Sequence, residues 1–273
     1  MIRGPDPWVG FCRDAVTEVK RVLVELPGRV EREPIMGAGK GGDQTTAIDA
    51  AAEGAIVVLL ERLHAEGHEF HLVSEELGER SFGSNPTTHV VLDPIDGSMN
   101  AKRGIPYFSV SIAVADGPQM GDVHFGYVYD FGTGEEWSAT RGAGAWLGET
   151  RLGESRPVDP IEILSVEATV AGSVADNAVA FSGFAKRLRI MGSLALSLCH
   201  LAAGRVDAVC SLKEARAVDI AAAQLLLKEC SMPILFADAG PFDAAPLDVV
   251  ARSPVAAAGT LELAERLAHI VAT

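Results

Sequence analysis

Hydrophobic residues recur along the first part of the chain with a helical period. Across residues 8–26, Val9, Cys12, Val16, Val19, Val22 and Leu26 fall on one stripe, and Pro27-Gly28 stops it. The glycine-rich stretch 36–43 follows and predicts a loop. A second helix opens at Thr45 or Thr46, with Ile48, Ala52, Ile56, Leu59 and Leu63 on one face. The period then shortens. Residues 70–74 and 88–92 read as short strands, with Glu75 and Asp93 standing just at their ends. Residues 107–115 alternate, Phe108, Val110, Ile112 and Val114 against Tyr107, Ser109 and Ser111, which predicts a half-buried strand. Residues 122–129 and 136–140 predict further antiparallel strands, and 141–153 glycine-rich loops.

The second half changes character. Residues 164–171 predict a strand, 193–203 a helix ended by Gly204, and 208–212 a strand. Then come a helix over 219–229, a strand over 233–237 and a closing helix over 260–271 capped by Thr260. Meander-like strands followed by alternating strand and helix predict α+β, then α/β, with a seam near residue 155. That places an N-terminal domain at 1–155 and a C-terminal α/β domain at 156–273.

Composition narrows the function. The 273 residues carry 23 Lys+Arg against 37 Asp+Glu, a net charge of −14, which repels phosphate backbones and anionic membranes. Nucleic acid and membrane surfaces are therefore not expected partners. No apolar run approaches the roughly 18–20 residues of a membrane span. Met1-Ile-Arg-Gly-Pro-Asp-Pro7 lacks a signal-peptide core, so a cytoplasmic location is expected. Cys12, Cys199, Cys210 and Cys230 lie far apart without a CxxC spacing, which fits a reducing compartment and argues against a zinc ribbon or disulfide framework. So acidic a chain also raises a narrower point. Carboxylates that cluster in space need cations among them, because like charges about 4 Å apart repel by several kcal/mol at a protein surface.

Asp93-Pro-Ile-Asp-Gly-Ser98 is the most informative stretch. It leaves an apolar strand and turns through Pro94 and Gly97, so two carboxylates three residues apart can point into one cleft, with amides after Gly97 as an anion nest. The plain alternative is a turn, since Asp, Pro and Gly are turn residues. Three more acidic signals have equally plain alternatives: Glu75-Glu76 as a solvated strand end, Asp49 in Thr46-Ala-Ile-Asp49 as a helix cap, and Asp219 as the N-cap of an alanine-rich helix. Local structure does not explain all of them falling at the ends of elements.

Together these segments resemble the inositol monophosphatase family of magnesium-dependent, lithium-sensitive phosphatases, from about Gly37 to Gly240. Asn100-Ala-Lys-Arg-Gly-Ile-Pro106 and Gly126-Tyr-Val-Tyr129 are similar to its archaeal-type branch, whose members often hydrolyse both inositol 1-phosphate and fructose 1,6-bisphosphate. The resemblance implies a layered αβαβα sandwich of the sugar phosphatase type, a small phosphate ester as substrate, two or three Mg²⁺ ions, and a homodimer. It implies Glu75, Asp93, Asp96 and the Ile95 carbonyl as metal ligands, with Asp219 reaching a metal from the other half. Asp93 would bridge, Glu75 would stand near the attacking water, and Asp96 with Asp219 would serve the leaving-group side. Asp49 with Ser98 would orient and help deprotonate that water. Gly97 and Ser98 amides would hold phosphate, and Arg189, Gly192, Ser193 and Arg216 would lie on the substrate side.

The chemistry agrees. Mg²⁺ takes hard oxygen ligands, and phosphoryl transfer asks for positioning and charge stabilisation rather than a covalent nucleophile. Some residues depart from the family pattern. Ser98 stands where threonine is usual, Lys40 is only a neighbour of the expected lysine position, and Cys230-Ser-Met-Pro233 replaces an Ala-Gly-Gly turn.

Other signals carry less. In the 37–42 segment Lys40 precedes Gly41 and position 35 is Ile35, so it fails the phosphate-binding P-loop pattern; it reads as a loop closing over the metals or as a plain linker. His64, His68 and His71 straddle a helix end and a strand, as a solvated face does. Three functions compete. The first is a Mg²⁺-dependent phosphomonoesterase for a small sugar or polyol phosphate such as inositol 1-phosphate, with fructose 1,6-bisphosphate as the alternative main substrate. The second is a 3′-phosphoadenosine 5′-phosphate phosphatase, for which no aromatic cluster flanks Arg216. The third is a regulatory protein with a degenerate site, which the full set of ligand carboxylates argues against.

Overall fold

The computed structural model describes residues 7–42, 44–154, 156–167 and 170–272. The first elements are α1 (Pro7–Glu25), α2 (Arg29–Arg32), β1 (Ile35–Ala38), β2 (Gln44–Thr46) and α3 (Ala47–Ala65). Then come β3 (Phe70–Ser74), β4 (Gly78–Phe82), β5 (His89–Asp96), α4 (Ser98–Arg103), β6 (Ser109–Ala115), β7 (Val123–Asp130), β8 (Glu136–Thr140), β9 (Gly144–Leu147) and β10 (Thr150–Arg151). The second half holds β11 (Ile161–Glu167), α5 (Ala171–Phe184), β12 (Ala185–Arg189), α6 (Leu194–Ala202) and β13 (Ala208–Ser211). It ends with α7 (Ala217–Glu229), β14 (Ile234–Phe236), β15 (Val255–Ala258) and α8 (Leu261–Val271).

Strands β10-β9-β8-β7-β6-β5-β3-β4 form an eight-stranded sheet, β12-β11-β13-β15-β14 a five-stranded sheet, and β1-β2 a hairpin. Period-two alternation decides what each face buries. In β5 and β6, Val90, Leu92, Ile112 and Val114 pack with Ile48, Ile56 and Val19 of the outer helices α1 and α3. Their neighbours Val91, Ala113 and Ala115 point the other way, toward α6 and α7. The far side of that helix layer meets Val209, Val255 and Ala257 of the smaller sheet. The smaller sheet's other face, with Leu164, Val166 and Ala256, is covered by α5 and α8. The layers therefore run helix, sheet, helix, sheet, helix, the sandwich expected. One core joins Val73 and Val91 to Leu196 and Leu226, drawing side chains from both sides of residue 155.

Helix α7 is buried from Ala217 to Leu227 because it lies between two sheets. Its alanines let the sheet come very close. A Cβ on Gly126 of β7 would stand 2.5 Å from the Ala222 carbonyl oxygen, so only glycine fits there.

Several expectations change. The 107–115 strand is not half-buried: every residue of β6 is buried, Ser109 and Ser111 included, because helices cover both faces. The N-terminal sheet is antiparallel except where β3 and β5 run parallel. The stripe of the second helix passes through Leu60 rather than Leu59, which is partly buried. The strand expected over 164–171 ends at Glu167, and Ala171 already starts α5; positions 168 and 169 lie outside the described residues, as do position 155 and Met1 to Asp6. Strands β1, β9 and β10 occupy stretches read as glycine-rich loops, and strands β2, β4, β12 and β15 and helices α2 and α5 were not expected. Helix α5 buries only Phe181 and Phe184, so it carries no apolar stripe to read.

Candidate active site

The predicted acidic residues are delivered by element ends. Strands β3 and β5 are parallel neighbours with Ser74 opposite Leu92. Their C-terminal ends therefore open on one edge, and Glu75 comes out beside Asp93. Pro94 has no amide proton to give the ladder, and the β5–β6 register shifts between Asp93 and Asp96. That bulge turns both aspartates into the edge. Asp219 arrives from the first turn of α7, after its N-cap Arg216. Asp49 sits in the first turn of α3, where its Oδ2 accepts from the Thr46 amide at 3.1 Å.

Glu75, Asp93, Asp96 and Asp219 are between 1% and 8% exposed, so their charges have little water to screen them. One cation stands among them. Arg216 Nη2 lies 2.7 Å from Glu75 Oε1 and 2.8 Å from Asp219 Oδ1, and its backbone amide donates to Asp219 Oδ2 at 2.7 Å. Its Nη1 also donates to the Gly41 carbonyl at 3.3 Å. The glycine segment is clipped on from below by Gly41 N to Glu75 O at 2.9 Å and Lys40 N to Glu76 O at 3.1 Å.

Burial and crowding shift the acids. Burial, with repulsion from Asp219 and Glu76, pushes Glu75 up to about 7 despite Arg216 and a hydrogen bond shared with Asp93. Asp93 is held well above the usual carboxylate range by burial and by Glu75, Asp96 and Asp219. Burial raises Asp96 to about 6, against hydrogen bonds from Ser193 and the Ala195 amide. For Asp219 burial again works upward, but the Arg216 guanidinium outweighs it and holds the acid below its ordinary value. Three acids crowded into reluctant ionisation are a site short of positive charge.

Among the described residues, no three His, Cys, Asp or Glu side chains already surround one point as a metal-ligand set. Arg216 fixes Glu75 and Asp219 toward itself. The donor chemistry nevertheless suits a hard divalent cation: buried carboxylates and a carbonyl at Ile95. Asp49 Oδ1 adds a buried oxygen without a hydrogen-bond partner among the described residues. The residues fit Mg²⁺.

The other predicted residues fall at different distances from this cluster. Gly97 has φ +94°, and a Cβ there would lie 3.1 Å from the carbonyl oxygens of Gly192 and Tyr107, so glycine alone allows the turn and the contact. Ser98 opens α4, and its Oγ donates to the Ile95 carbonyl at 2.9 Å. Asp49 and Ser98 do not bond to each other: Asp49 bonds Thr46, and Ser98 bonds Ile95. Ser193 donates to Asp96. Arg189 is exposed at the end of β12, where its Nη1 donates to its own neighbour, the Leu188 carbonyl, at 2.9 Å. Residues not singled out from the sequence also shape the site. Glu53 accepts from Leu77 N at 3.0 Å and from Ser74 Oγ, bracing the turn that carries Glu75. Asn100 and Glu167 hold the segment around Gly192. Glu167 ends an apolar strand, the same signal that marks Glu75 and Asp93. A surface depression of about 850 Å³ lies at the other end of α7, by Lys228, Ser231 and Met232, and holds none of the acids.

The layered sandwich is the fold of the sugar phosphatase type. The chain belongs to the inositol monophosphatase family, whose model matches residues 12–272. Members of this family hydrolyse phosphate monoesters and are generally magnesium-dependent. A fructose-1,6-bisphosphatase/inositol-1-monophosphatase of Methanothermobacter thermautotrophicus is 34% identical over 270 residues, covering 95% of both proteins. A bifunctional NADP phosphatase/NAD kinase of Methanococcus maripaludis is 28% identical over 233 residues, 78% of this chain and 40% of that protein. The crystal structure of an inositol monophosphatase–fructose 1,6-bisphosphatase matches with a TM-score of 0.82 at 26% identity, over 97% of this chain and 100% of that one. No helix among the described residues is long and apolar enough to cross a membrane.

Proposed function

We propose that this chain is a Mg²⁺-dependent phosphomonoesterase that uses water to hydrolyse a small polyol or sugar phosphate such as inositol 1-phosphate. The observation that carries this is the meeting of Glu75, Asp93, Asp96 and Asp219 from both halves of the chain in one buried, electropositive-starved cluster beside the Gly97 turn. Glu75, Asp93, Asp96, Asp219 and the Ile95 carbonyl would hold the cation. When bound, Mg²⁺ supplies an acidified water and neutralises charge building on the phosphoryl and leaving oxygens.

The chain's own groups do the rest. Asp49 Oδ1, buried without a partner among the described residues, is an acceptor for the proton of the attacking water. Ser98 orients that water by accepting or relaying through Oγ, with the Ile95 carbonyl as its other partner. The Gly97 and Ser98 amides hold phosphoryl oxygens at the turn. Gly192 and Ser193 wall the substrate side, with Arg189 and Arg216 as cationic neighbours.

Fructose 1,6-bisphosphate is the second reading. It is favoured by the Methanothermobacter relative, which carries both activities in its name and aligns along nearly its whole length. A phosphate-release panel tests both: inositol 1-phosphate, fructose 1,6-bisphosphate and 3′-phosphoadenosine 5′-phosphate, each with Mg²⁺ and with chelator. Mg²⁺-dependent release from the first or second supports the proposal. Release only from the nucleotide, or none, overturns it. A homodimer is part of the same proposal, and light scattering of the purified chain checks it.

A further inference from the structure

Glu167 is a buried carboxylate to which the proposed chemistry gives no task. It ends β11 and is 5% exposed. Its Oε2 accepts from the Gly192 amide at 2.8 Å, and its Oε1 accepts from Ser197 Oγ at 2.6 Å. From the opposite side, Asn100 Nδ2 donates to the Met191 carbonyl at 2.7 Å and to the Tyr107 carbonyl at 2.8 Å. The 191–193 turn is thus gripped between a carboxylate of the smaller sheet and an amide of α4.

That turn has consequences for the site. Gly192 adopts φ +93°, outside any helix or strand, so its shape rests on these hydrogen bonds rather than on a regular ladder. The next residue, Ser193, donates to Asp96, and the Ala195 amide donates to the same Asp96 oxygen at 2.8 Å. The Gly192 carbonyl also lies against Gly97. A carboxylate ligand keeps its orientation only as well as the groups behind it are held.

We propose that Glu167 is a positioning residue, which by gripping the 191–193 turn fixes Ser193 against Asp96 and so sets the site's affinity for Mg²⁺ and for the phosphate ester at Gly97. This rests on the reading of Asp96 as a metal ligand. The role belongs to the reach of the side chain and not to its charge. Aspartate keeps the charge but ends one methylene short of the Gly192 amide. Glutamine loses the charge but keeps the reach: its oxygen accepts from Gly192, and its NH2 donates to Ser197 Oγ after that hydroxyl turns.

The test is calorimetric titration of the full chain with Mg²⁺, alongside KM and kcat for inositol 1-phosphate at saturating Mg²⁺ and a thermal melt of each variant. Glu167→Asp weakens Mg²⁺ binding about tenfold and raises KM by a similar factor, with kcat changed much less. Glu167→Gln stays within about twofold of wild type in both. Asn100→Ala loosens the same turn from the other side and also weakens Mg²⁺ binding, a measurement that does not depend on Glu167→Asp folding. Wild-type Mg²⁺ affinity in Glu167→Asp or in Asn100→Ala overturns the proposal, as does Glu167→Gln weakening as much as Glu167→Asp. A wild-type protein that neither binds Mg²⁺ nor releases phosphate overturns the underlying reading instead, and does so before any variant is measured.

Discussion

Asp96 and Ser193 stand 97 positions apart in the chain, and the serine hydroxyl donates a hydrogen bond to the carboxylate. The aspartate leaves the bulged end of β5, and the serine caps α6. Glu75, at the end of β3, is held in the same way by Arg216 at the start of α7. Asp96 and Glu75 are thus each oriented by a helix of the layer between the sheets, whereas Asp93 accepts from the Ile95 amide of its own strand end at 3.0 Å. The site exists only where that helix layer is correctly seated, so packing and chemistry are coupled.

Asp93 is the acid with least to lose structurally and most to lose functionally. It is 1% exposed and repelled by Glu75, Asp96 and Asp219. Asp93→Asn removes that repulsion, so in chelator the variant melts at or above the wild-type temperature. Phosphate release falls by about 10²–10³-fold or more, at least the scale of losing one preorganised contact to the transition state. The Mg²⁺-induced rise in melting temperature shrinks with it, because stabilisation by a ligand follows its affinity. Turnover near wild type in this variant would refute the place proposed for Asp93 among the metal ligands.

Arg216 carries the opposite expectation. It is the cation that lets Glu75 and Asp219 stay buried. Arg216→Leu leaves two buried acids uncompensated and costs about 3–5 kcal/mol in chelator. Added Mg²⁺ restores part of that loss by supplying positive charge to the same oxygens. Urea unfolding with and without Mg²⁺ measures both terms. Equal losses in the two conditions would show that Arg216 and the cation do not serve the same carboxylates.

The raised acids fix a pH dependence. Glu75 and Glu167 are pushed up to about 7 and Asp96 to about 6, chiefly by burial. Between the ordinary value of about 4.3 and these values the native state binds protons that the unfolded chain has released, so stability falls as pH rises through this window. Asp219 runs the other way, its stabilisation being lost only as acid takes the pH below its ordinary range. In chelator the melting temperature therefore rises from pH 8 down to about pH 5 and falls below it. Mg²⁺ binding releases protons and tightens as pH rises across the same window. A metal-free melting temperature that climbs steadily from pH 5 to pH 8 would contradict the burial assigned to these acids.

How much of this the sequence revealed follows from where the signals lie. Helices α1, α3 and α8 were readable because each buries one face. The Asp93–Ser98 turn was readable because proline and glycine punctuate it. The serines of β6 misled, since Ser109 and Ser111 look like a wet face but are covered by the α6–α7 layer, a fact of tertiary packing. Helix α5 was invisible because only its end packs. Arg216 entered through the family resemblance as a substrate neighbour. Its grip on Asp219 is a local three-residue spacing, whereas its grip on Glu75 joins opposite halves of the chain and leaves no local trace. Glu167 carries the strand-end signal of Glu75 and Asp93, but its partner Gly192 lies 25 residues on, so the sequence alone gives it no task.

Gly126 ties this packing to the site in one substitution. A methyl group there meets the Ala222 carbonyl oxygen at 2.5 Å and the Ala222 backbone carbons at 3.1 Å, so α7 must move or the sheet must bend. Ala222 lies one turn beyond Asp219, so the displacement is delivered to the acid and to Arg216. Gly126→Ala therefore destabilises by about 1–3 kcal/mol, the range of overpacking in a filled core, and weakens Mg²⁺ binding as well. Gly172→Ala is the matching control, because α5 leaves nothing within 4 Å of the added carbon. That change raises stability by about 0.4–1 kcal/mol through the unfolded chain and leaves Mg²⁺ affinity alone. Urea unfolding and metal titration of the two variants separate the effects. Unchanged Mg²⁺ affinity in a destabilised Gly126→Ala would show that α7 can shift without disturbing Asp219, and that the helix layer does not set the geometry of the acids.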